Sequence, residues 1–393
     1  MAVGLTAAAL LVASRFRVVQ VYAAFLACGL ALIPAAQILA ASIQPAAPDV
    51  AAGQGPEQDA MPVTDARNIW LILTDGYTSP AVVREEAGLD IAPFVDGLAR
   101  RGFVVPERAR SNYPATFASL ASLLEMDYLI DEDSQQLGVD RPAINRLISG
   151  DNESVRVLRA NGYRFVHATP GLWDSNRCVG FEDLCVSGPS PLSETARAMV
   201  RMTPVDPSAF GASRRQVAQQ ADPAWVVNEI LDQAPEDPFF AFVHVLSPHP
   251  PFLWNDECAL RTDTQLQLDV VQTGPDYAAD VECLNRQLND AIDAIVSEDS
   301  TAIVVIQGDH GSGIGTDPDA LWGVPAERFE VFSALRLGPE CEETVPDRLG
   351  MTNVMRIVLA CVRGTEPQLL PYEAWMVQEG DDRVEPADLP DWE

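Results

Sequence analysis

One apolar, β-branched stretch that ends in two metal-type ligands constrains the fold of this chain more than any other segment. The stretch is Thr301–Gly311, TAIVVIQGDHG, and its polar end carries Asp309 and His310. Because such a run needs cover on both faces, it is typical of a central strand in a parallel sheet. Open α/β sheets build their active sites at the carboxyl ends of such strands, so the segment predicts a ligand pair there. Gly308 and Gly311 let the backbone bend and approach a bound group.

A second strand of the same kind predicts a third ligand. Asn68–Thr74, NIWLILT, leads directly into Asp75. A cation removes the cost of burying that carboxylate, and carboxylates with an imidazole suit manganese, zinc or magnesium. The alternatives are a surface turn at Asp309 and an ordinary helix entrance after Asp75, with Ser79 as N-cap and Pro80 in the first turn.

The remaining chain alternates strand-like and helix-like segments. Further strands are predicted at 164–168 and 239–246, and helices at 91–101, 116–124, 154–161, 223–233, 277–297 and 352–362. This alternation predicts an α/β fold with a mostly parallel central sheet and helices on both faces. Residues 169–220 are rich in Gly, Pro and Ser and are expected to be mostly loop.

The N-terminus predicts one or more transmembrane helices. Val18–Ile43 is almost continuously apolar and long enough to cross a bilayer, whereas Val3–Ser14 is apolar but short. Arg15 and Arg17 between them place the chain after the anchor outside the cytoplasm. A cleaved signal peptide with a site near Ala40–Ala41 is the alternative. Composition then divides the chain into an anchor (1–44), a linker (45–66), an α/β domain (67–370) and an irregular, peripheral acidic tail (371–393).

Charge and cysteine content limit the partners and the compartment. The formal net charge is −31, and all 26 basic residues are arginine, which excludes lysine Schiff-base chemistry and a Walker-type phosphate loop. Nucleic acid is not an expected partner, because a polyanion needs a basic face. Six cysteines follow the apolar segment, and proximity suggests Cys178–Cys185, Cys258–Cys283 and Cys341–Cys361 among fifteen possible pairings. Such disulfides form in an oxidising compartment; scattered buried thiols are the alternative.

Thr116 begins a helix-like segment within Arg110–Leu124, RSNYPATFASLASLL. A hydroxyl at a helix N-terminus lies where amide groups and the helix dipole favour phosphate or sulfate. If it also binds a cation, the hydroxyl is acidified and can attack phosphorus or sulfur. The alternative is a plain N-cap threonine.

His249 follows a predicted strand in Phe239–Phe252, FFAFVHVLSPHPPF. The flanking prolines predict an extended, exposed loop, which suits a side chain that binds substrate oxygens or protonates a leaving group. His244 and His167 lie within strands, and we expect them to be packed and hydrogen-bonded.

Together and in this order, these elements resemble the sulfatase-like branch of the alkaline phosphatase superfamily. The similarity is greatest to membrane-anchored bacterial members of the lipoteichoic acid synthase and phosphoethanolamine transferase type, and it spans about residues 67–370. NIWLILTDGY resembles the first metal-binding strand, SNYPATFASLASLL the nucleophile segment, SPHPPF the substrate-side histidine loop and QGDHG the second metal motif.

The resemblance implies one divalent metal ion (manganese, magnesium, calcium or zinc) held by Asp75, Thr116, Asp309 and His310. Thr116 would be the nucleophile, with His249 on the transferring group and Asn112 as a further substrate-binding residue. The implied enzyme is a phosphotransferase or phosphoester hydrolase acting on a lipid-linked or glycan envelope substrate. It would lie at the lipid bilayer of the bacterial inner membrane, with the catalytic domain on the periplasmic or extracellular side.

The chain departs from the family pattern in two places. The segment Pro114–Ala118, PATFA, lacks the Cys-x-Pro-x-Arg signature whose cysteine becomes formylglycine in arylsulfatases. No histidine follows His310, so a single-metal centre is expected instead of a two-zinc centre. A sulfuric ester hydrolase and a catalytically silent envelope binding protein remain as alternative functions.

Overall fold

A computed structural model describes residues 62–131, 136–170, 176–187, 214–233, 235–261, 274–314, 326–377, 383–390 and 392. The predicted membrane anchor (1–44) and most of the predicted linker (45–66) lie outside these ranges. Within them, no helix combines the length and the apolar character needed to cross a bilayer.

Twelve strands lie within the described ranges. In chain order they are β1 (Ile69–Thr74), β2 (Arg108–Arg110), β3 (Ile130–Asp131), β4 (Gln136–Leu137), β5 (Arg164–Thr169), β6 (Leu184–Ser187), β7 (Phe239–Val245), β8 (Ile303–Gly308), β9 (Ser333–Arg336), β10 (Arg348–Gly350), β11 (Trp375–Val377) and β12 (Val384–Pro386). Six of them form the central sheet in the order β6-β5-β7-β1-β8-β9. All neighbours in this sheet are parallel except β9, which runs antiparallel to β8 at one edge. The predicted mostly parallel sheet is therefore confirmed.

Nine α-helices accompany these strands in the described part of the chain. They are α1 (Pro80–Glu86), α2 (Ala92–Arg100), α3 (Thr116–Glu125), α4 (Arg141–Ile148), α5 (Glu153–Ala160), α6 (Arg214–Gln220), α7 (Pro223–Asp232), α8 (Gly274–Glu298) and α9 (Val354–Arg363). Short 3-10 turns occupy Ala326–Arg328, Glu342–Thr344 and Met351–Asn353. The helix α1 begins as expected, because Ser79 caps it by accepting from the Val82 amide and Pro80 lies in its first turn.

The sheet lies between two apolar layers. Successive side chains of β1 point to opposite faces, so Leu71 packs into one layer and Ile72 into the other. The first layer includes side chains from α3, α4, α5 and α9, and the second includes side chains from α1, α2, α7 and α8. Every residue of β1, β7 and β8 is buried, as the continuous apolar character of these segments predicts.

The acidic C-terminal segment differs from the expectation of an irregular, peripheral tail. β11 and β12 pair antiparallel, and Val377 and Val384 are buried in the first apolar layer. Beyond them, the Trp392 ring stacks on Tyr372 at 4.4 Å and lies under the Arg110 guanidinium. A few well-spaced apolar residues therefore attach a segment whose overall composition is acidic.

Three disulfides connect the cysteines of the described chain. They are Cys178–Cys185, Cys258–Cys283 and Cys341–Cys361. The pairing that sequence proximity predicts is confirmed. Cys258–Cys283 is the link that matters for the site, because it joins the segment after β7 to helix α8.

Candidate metal centre

Three neighbouring strands end at nearly the same level and deliver the candidate ligands. Thr74 of β1 pairs with Gly308 of β8, so the next residues, Asp75 and Asp309, leave the sheet side by side. β7 lies on the other side of β1 and carries His244 near the same edge. The register of a buried parallel sheet thus sets the spacing of the acidic ligands.

Glycines shape the turns around these ligands in two ways. A Cβ atom on Gly308 would lie 2.2 Å from the Tyr77 carbonyl oxygen, and one on Gly311 would lie 1.9 Å from the Glu327 carbonyl oxygen. These two glycines therefore permit close packing between chain segments, whereas we expected them to bend the chain toward a bound group. The sharp bend belongs to Gly76, whose φ of +75° is a left-handed conformation that favours glycine.

The two aspartates present buried oxygens that need a partner. Oδ1 of Asp309 accepts hydrogen bonds from the amides of Gly76 and His310, both at 2.8 Å. Among the described residues, Oδ2 of Asp309 and both carboxylate oxygens of Asp75 have no hydrogen-bond donor, although all three are buried. Buried carboxylate oxygens are costly when they lack a partner, and a bound cation removes that cost. The donor set therefore fits a divalent cation.

The His310 ring is oriented as a metal ligand. Its Nδ1 lies 2.9 Å from the Gly311 carbonyl oxygen. Since a carbonyl only accepts, Nδ1 carries the hydrogen and the lone pair is on Nε2. Nε2 lies 3.6 Å from Oδ1 of Asp75 and 3.3 Å from Oδ2 of Asp309. One ligand atom from each of these three residues lies within 4.8 Å of the other two.

Thr116 lies at the first position of α3, and its side chain lies beside the His310 ring. Its Oγ1 is 3.1 Å from Nε2 of His310. The N-cap of α3 is Ala115, which makes no side-chain capping bond, so Thr116 does not serve as the plain N-cap. The structure thus brings all four predicted metal ligands, Asp75, Thr116, Asp309 and His310, to one place.

Burial and neighbouring charges shift the pKa values of these groups in different directions. Burial by itself would raise the pKa of Asp75, but the nearby histidines, His249 first among them, outweigh burial and lower the pKa. Burial and the adjacent Asp75 raise the pKa of Asp309. Burial and the charge of Arg328 lower the pKa of His310 to about 3. At neutral pH the imidazole is therefore neutral, which is the form that binds a cation.

His244 belongs to the site, although we expected only a packed strand histidine. Its Nε2 lies 3.6 Å from Oδ2 of Asp75, and its Nδ1 is 2.6 Å from Nδ2 of Asn176. The other amide atom of Asn176, Oδ1, is 2.8 Å from Nε2 of His167. With the amide in this orientation, Asn176 donates to Nδ1 of His244, so the ring hydrogen of His244 lies on Nε2 and faces Asp75.

His249 lies in a folded, partly buried turn and not in the extended, exposed loop that the prolines suggested. Its amide donates to the Leu246 carbonyl oxygen at 2.8 Å, and its Nδ1 is 2.7 Å from the Pro250 carbonyl oxygen. The turn folds back because Asp280 of α8 accepts from the Ser247 hydroxyl at 2.9 Å. His249 is close enough to the centre for its charge to lower the pKa of Asp75.

Asn112 does not form part of this site. Its Oδ1 accepts from the amide and the hydroxyl of Thr352, and its Nδ2 donates to the Glu373 carbonyl oxygen and to Tyr128. These bonds occupy both polar atoms of the amide. The asparagine predicted to bind substrate instead joins the segment before α3 to the start of α9 and to the C-terminal segment.

Arg328 is a second site residue that the sequence did not reveal. It ends the 3-10 turn Ala326–Arg328, and its Nη2 lies 3.3 Å from Nε2 of His310. No motif surrounds Arg328, so nothing in the sequence marked it. His244 could have been found by aligning the ends of β1, β7 and β8, since that alignment places it beside Asp75.

Comparisons with known proteins identify one family and several similar structures. A family model described as Sulfatase matches residues 67–340. Two crystal structures of the C-terminal periplasmic domain of EcEptC from Escherichia coli, the second in complex with Zn, have TM-scores of 0.51 and 0.53. Each is 13% identical and covers 83% of this chain and 94% of that chain. The lipoteichoic acid synthase LtaP from Listeria monocytogenes is 15% identical, with a TM-score of 0.48 and coverage of 84% of this chain and 78% of that chain. No curated protein matches the chain significantly.

The family match covers most of the described domain and includes the ends of β1 and β8, which carry the acidic ligands. The predicted resemblance to sulfatase-like enzymes is therefore confirmed. This chain belongs to the sulfatase family.

Proposed function

We propose that the domain uses Thr116 as the nucleophile on a phosphate ester, with one divalent cation bound by Asp75, Thr116, Asp309 and His310. The observation that carries this proposal is the position of the Thr116 hydroxyl, 3.1 Å from the lone-pair nitrogen of His310 and beside carboxylate oxygens that lack donors. When bound, the cation would acidify the threonine hydroxyl and stabilise charge on the ester oxygens. The donor set admits manganese, magnesium, calcium or zinc.

Residues of this chain carry out bond formation, proton transfer and positioning. Oγ1 of Thr116 releases its proton to solvent and forms a bond to phosphorus as the bond from phosphorus to the leaving oxygen breaks, which gives a phosphothreonine. We assign protonation of the leaving oxygen to His249, the partly buried histidine whose charge reaches Asp75. Water or an acceptor hydroxyl then attacks phosphorus, gives its proton to His249 and releases the Thr116 oxygen, which takes up a proton from solvent. His244 directs its Nε2–H toward Asp75 and holds that carboxylate in place.

The proposed substrates are phosphoesters of the bacterial envelope, lipid-linked or glycan, and the proposed location of the domain is outside the inner membrane. Three disulfides favour an oxidising compartment. The similar EcEptC domains are periplasmic. The apolar run Val18–Ile43 is the proposed membrane anchor.

Sulfate-ester hydrolysis is the second candidate, because the matching family model is described as Sulfatase. Phosphate is favoured over sulfate because the residue at the helix N-terminus is Thr116, in PATFA, and not the cysteine that becomes formylglycine. An aryl phosphodiester and an aryl sulfate, each assayed with and without added Mn²⁺, separate the two chemistries.

The nucleophile test compares Thr116→Ala with Thr116→Ser in the purified protein. We expect Thr116→Ala to lose turnover by about 1000-fold or more, because no other oxygen takes the place of Oγ1. Thr116→Ser keeps a hydroxyl and should retain part of the activity. Thr301→Ala is the matched control, since Thr301 is exposed at the opposite end of β8.

Mass spectrometry of the wild-type protein trapped with substrate should find phosphate on Thr116. Full turnover by Thr116→Ala would overturn the proposed nucleophile. If the wild-type protein turns over neither ester with any of the four cations, the catalytically silent binding protein is the correct function instead.

A further inference from the structure

Arg328 is held at the metal centre by contacts that fix its orientation. Its Nε donates to the Pro114 carbonyl oxygen at 3.1 Å, and its Nη1 donates to the Gly311 carbonyl oxygen at 3.0 Å. Pro114 lies two residues before Thr116, and Gly311 directly follows His310. The guanidinium therefore connects the chain segment that carries the proposed nucleophile with the segment that carries the imidazole ligand.

The positive charge of Arg328 has no dedicated carboxylate partner in the described part of the chain. Its hydrogen bonds go to two carbonyl oxygens and toward a neutral imidazole. The negative charges that act on it are those of Asp309 and Asp75. These are the same carboxylates that a divalent cation would neutralise, so a bound cation leaves the charge of Arg328 uncompensated.

The single lone pair on Nε2 of His310 cannot serve several partners equally. In the structure this nitrogen faces both the Thr116 hydroxyl at 3.1 Å and Nη2 of Arg328 at 3.3 Å. A cation bound to Nε2 would take that lone pair, so the threonine hydroxyl and the guanidinium would both lose this acceptor. The threonine oxygen would then be available as a ligand for the cation. The guanidinium can only donate, so its Nη2 would require another acceptor, and a negatively charged oxygen suits its fixed positive charge.

We propose that Arg328 is the oxyanion-binding residue of this site and that its Nη2 transfers from His310 to a substrate oxygen when the cation binds. The ligand class is a tetrahedral oxyanion, the phosphoryl or sulfuryl group of an ester. This assignment rests on the proposed function, because it places the reacting group between Arg328 and Thr116. Arg328 therefore makes binding of the anion depend on binding of the cation.

The assignment predicts opposite effects of one substitution on two ligands. Arg328→Gln removes a positive charge beside the cation, so Mn²⁺ affinity should stay the same or rise. The same substitution removes a charge-assisted hydrogen bond to the oxyanion, so phosphate affinity of the Mn²⁺-loaded protein should fall by about 10- to 100-fold. A merely structural Arg328 would position Thr116 and His310, and its loss would weaken Mn²⁺ binding.

Titration calorimetry on the purified full chain tests the proposal. Mn²⁺ is titrated first, and inorganic phosphate or sulfate is then titrated into both the Mn²⁺-free and the Mn²⁺-loaded protein. Arg328→Lys keeps the charge and should retain part of the phosphate affinity even if Arg328→Gln folds poorly. Arg156→Gln, in an exposed ion pair with Glu153 on α5, is the matched control and should behave as wild type.

Three results would overturn the assignment. The first is that Arg328→Gln and the wild type bind phosphate with the same affinity. The second is that Arg328→Gln loses Mn²⁺ affinity in parallel with phosphate affinity. The third is that the wild type binds phosphate equally well with and without Mn²⁺. Failure of the proposed function is a separate result. If Thr116→Ala retains turnover but Arg328→Gln loses phosphate binding, the oxyanion site stands and the nucleophile assignment does not.

Discussion

The two aspartates of the metal centre have different surroundings, and these give them different roles. Asp309 is fixed by two backbone amides at 2.8 Å, so its free oxygen has one defined direction. The carboxylate of Asp75 accepts no hydrogen bond from the described residues, and Nε2 of His244 lies 3.6 Å from its Oδ2. Asp309 is therefore the more rigid of the two candidate ligands, whereas the orientation of Asp75 is less constrained.

The raised pKa of Asp309 predicts that cation binding releases a proton in mildly acidic solution. Below this raised pKa the folded protein holds a proton on Asp309, and a cation must displace it. We expect Mn²⁺ affinity to fall as the pH decreases through this range, by about tenfold per pH unit for a single competing proton. Calorimetry in buffers of different ionisation enthalpy measures the released proton, and a proton count of zero at pH 6 would contradict the prediction.

His244→Gln should weaken binding of the cation. The substitution removes the group that directs Asp75, and loss of such an outer contact typically costs about 10- to 100-fold in metal affinity or activity. His167→Gln is the matched control, because the hydrogen bonds from His167 toward His244 run through Asn176. We expect a much smaller loss there. Equal losses in calorimetric Mn²⁺ affinity for the two variants would show that His244 has no special role.

At the scale of elements, helix α8 holds the turn that carries His249. Asp280 of α8 accepts hydrogen bonds from the Ser247 hydroxyl and from the amides of Leu253 and Trp254, all at 2.9 Å. The Cys258–Cys283 disulfide ties the same segment to the helix three residues further along. One buried carboxylate therefore organises a turn that lies beside the candidate metal centre.

Asp280 also predicts how stability depends on pH. Burial raises the pKa of Asp280 to about 7, more than its hydrogen bonds and Arg261 lower it. The folded state therefore binds this proton more tightly than the unfolded state. The stabilising contribution of Asp280 to the free energy of unfolding is complete at about pH 4 and is lost as the pH rises through about 7. The expected loss is about 1.4 kcal/mol per pH unit within that window.

Urea unfolding of wild type and Asp280→Asn between pH 4 and pH 8 measures this contribution. Asparagine keeps an acceptor for the two amides but does not titrate, so the difference in unfolding free energy between the two proteins should decrease with pH. A difference that stays constant across this range would show that Asp280 is charged throughout.

Sequence patterns predicted the elements that are buried on both faces and missed the short ones. β1, β7 and β8 were recognised because their apolar residues are continuous, as a strand covered on two faces requires. β9 was not, because Ser333–Arg336 is four residues long and pairs only at the sheet edge. β6, in a region expected to be mostly loop, has the same length and also forms an edge. Tertiary pairing, and not local sequence preference, stabilises such edges.

At the scale of the whole molecule, the C-terminal segment contacts the part of the chain that leads to Thr116, the proposed nucleophile. The Trp375 amide donates to the Asn112 carbonyl oxygen at 2.9 Å, and the Tyr372 hydroxyl donates to the Ser111 carbonyl oxygen at 3.0 Å. Arg110 donates to the Pro390 carbonyl oxygen at 3.0 Å and lies over the Trp392 ring.

Trp392→Ala should therefore lower the free energy of unfolding by roughly 1–3 kcal/mol, because it removes one aromatic stack and its cation–π contacts. Urea unfolding measures the change. Val179→Ala is the control, since Val179 is 57% exposed and its truncation should change stability little. If Trp392→Ala unfolds at the same urea concentration as wild type, the segment adds no stability.

Site residues that directly follow or begin a regular element were predictable from the sequence. Site residues that reach the site only through tertiary packing were not. Asp75 and Asp309 follow buried strands, and Thr116 begins a helix, so periodicity marked their positions. Arg328 arrives through the close approach of Gly311 to the segment around Glu327, which no local pattern encodes. Asn112 was selected because it lies in a recognised motif, whereas its amide hydrogen-bonds to Thr352 and to the Glu373 carbonyl oxygen, which no local pattern encodes.

The shared register of β1 and β8 also limits how the protein can change during evolution. A one-residue deletion inside either strand would shift one acidic ligand by about 3.3 Å along the strand and turn its neighbours to the other face. Insertions between elements leave that spacing intact. We therefore expect changes in loop length to be tolerated at this site, whereas a change in the number of residues between the start of β1 or β8 and its aspartate should not be.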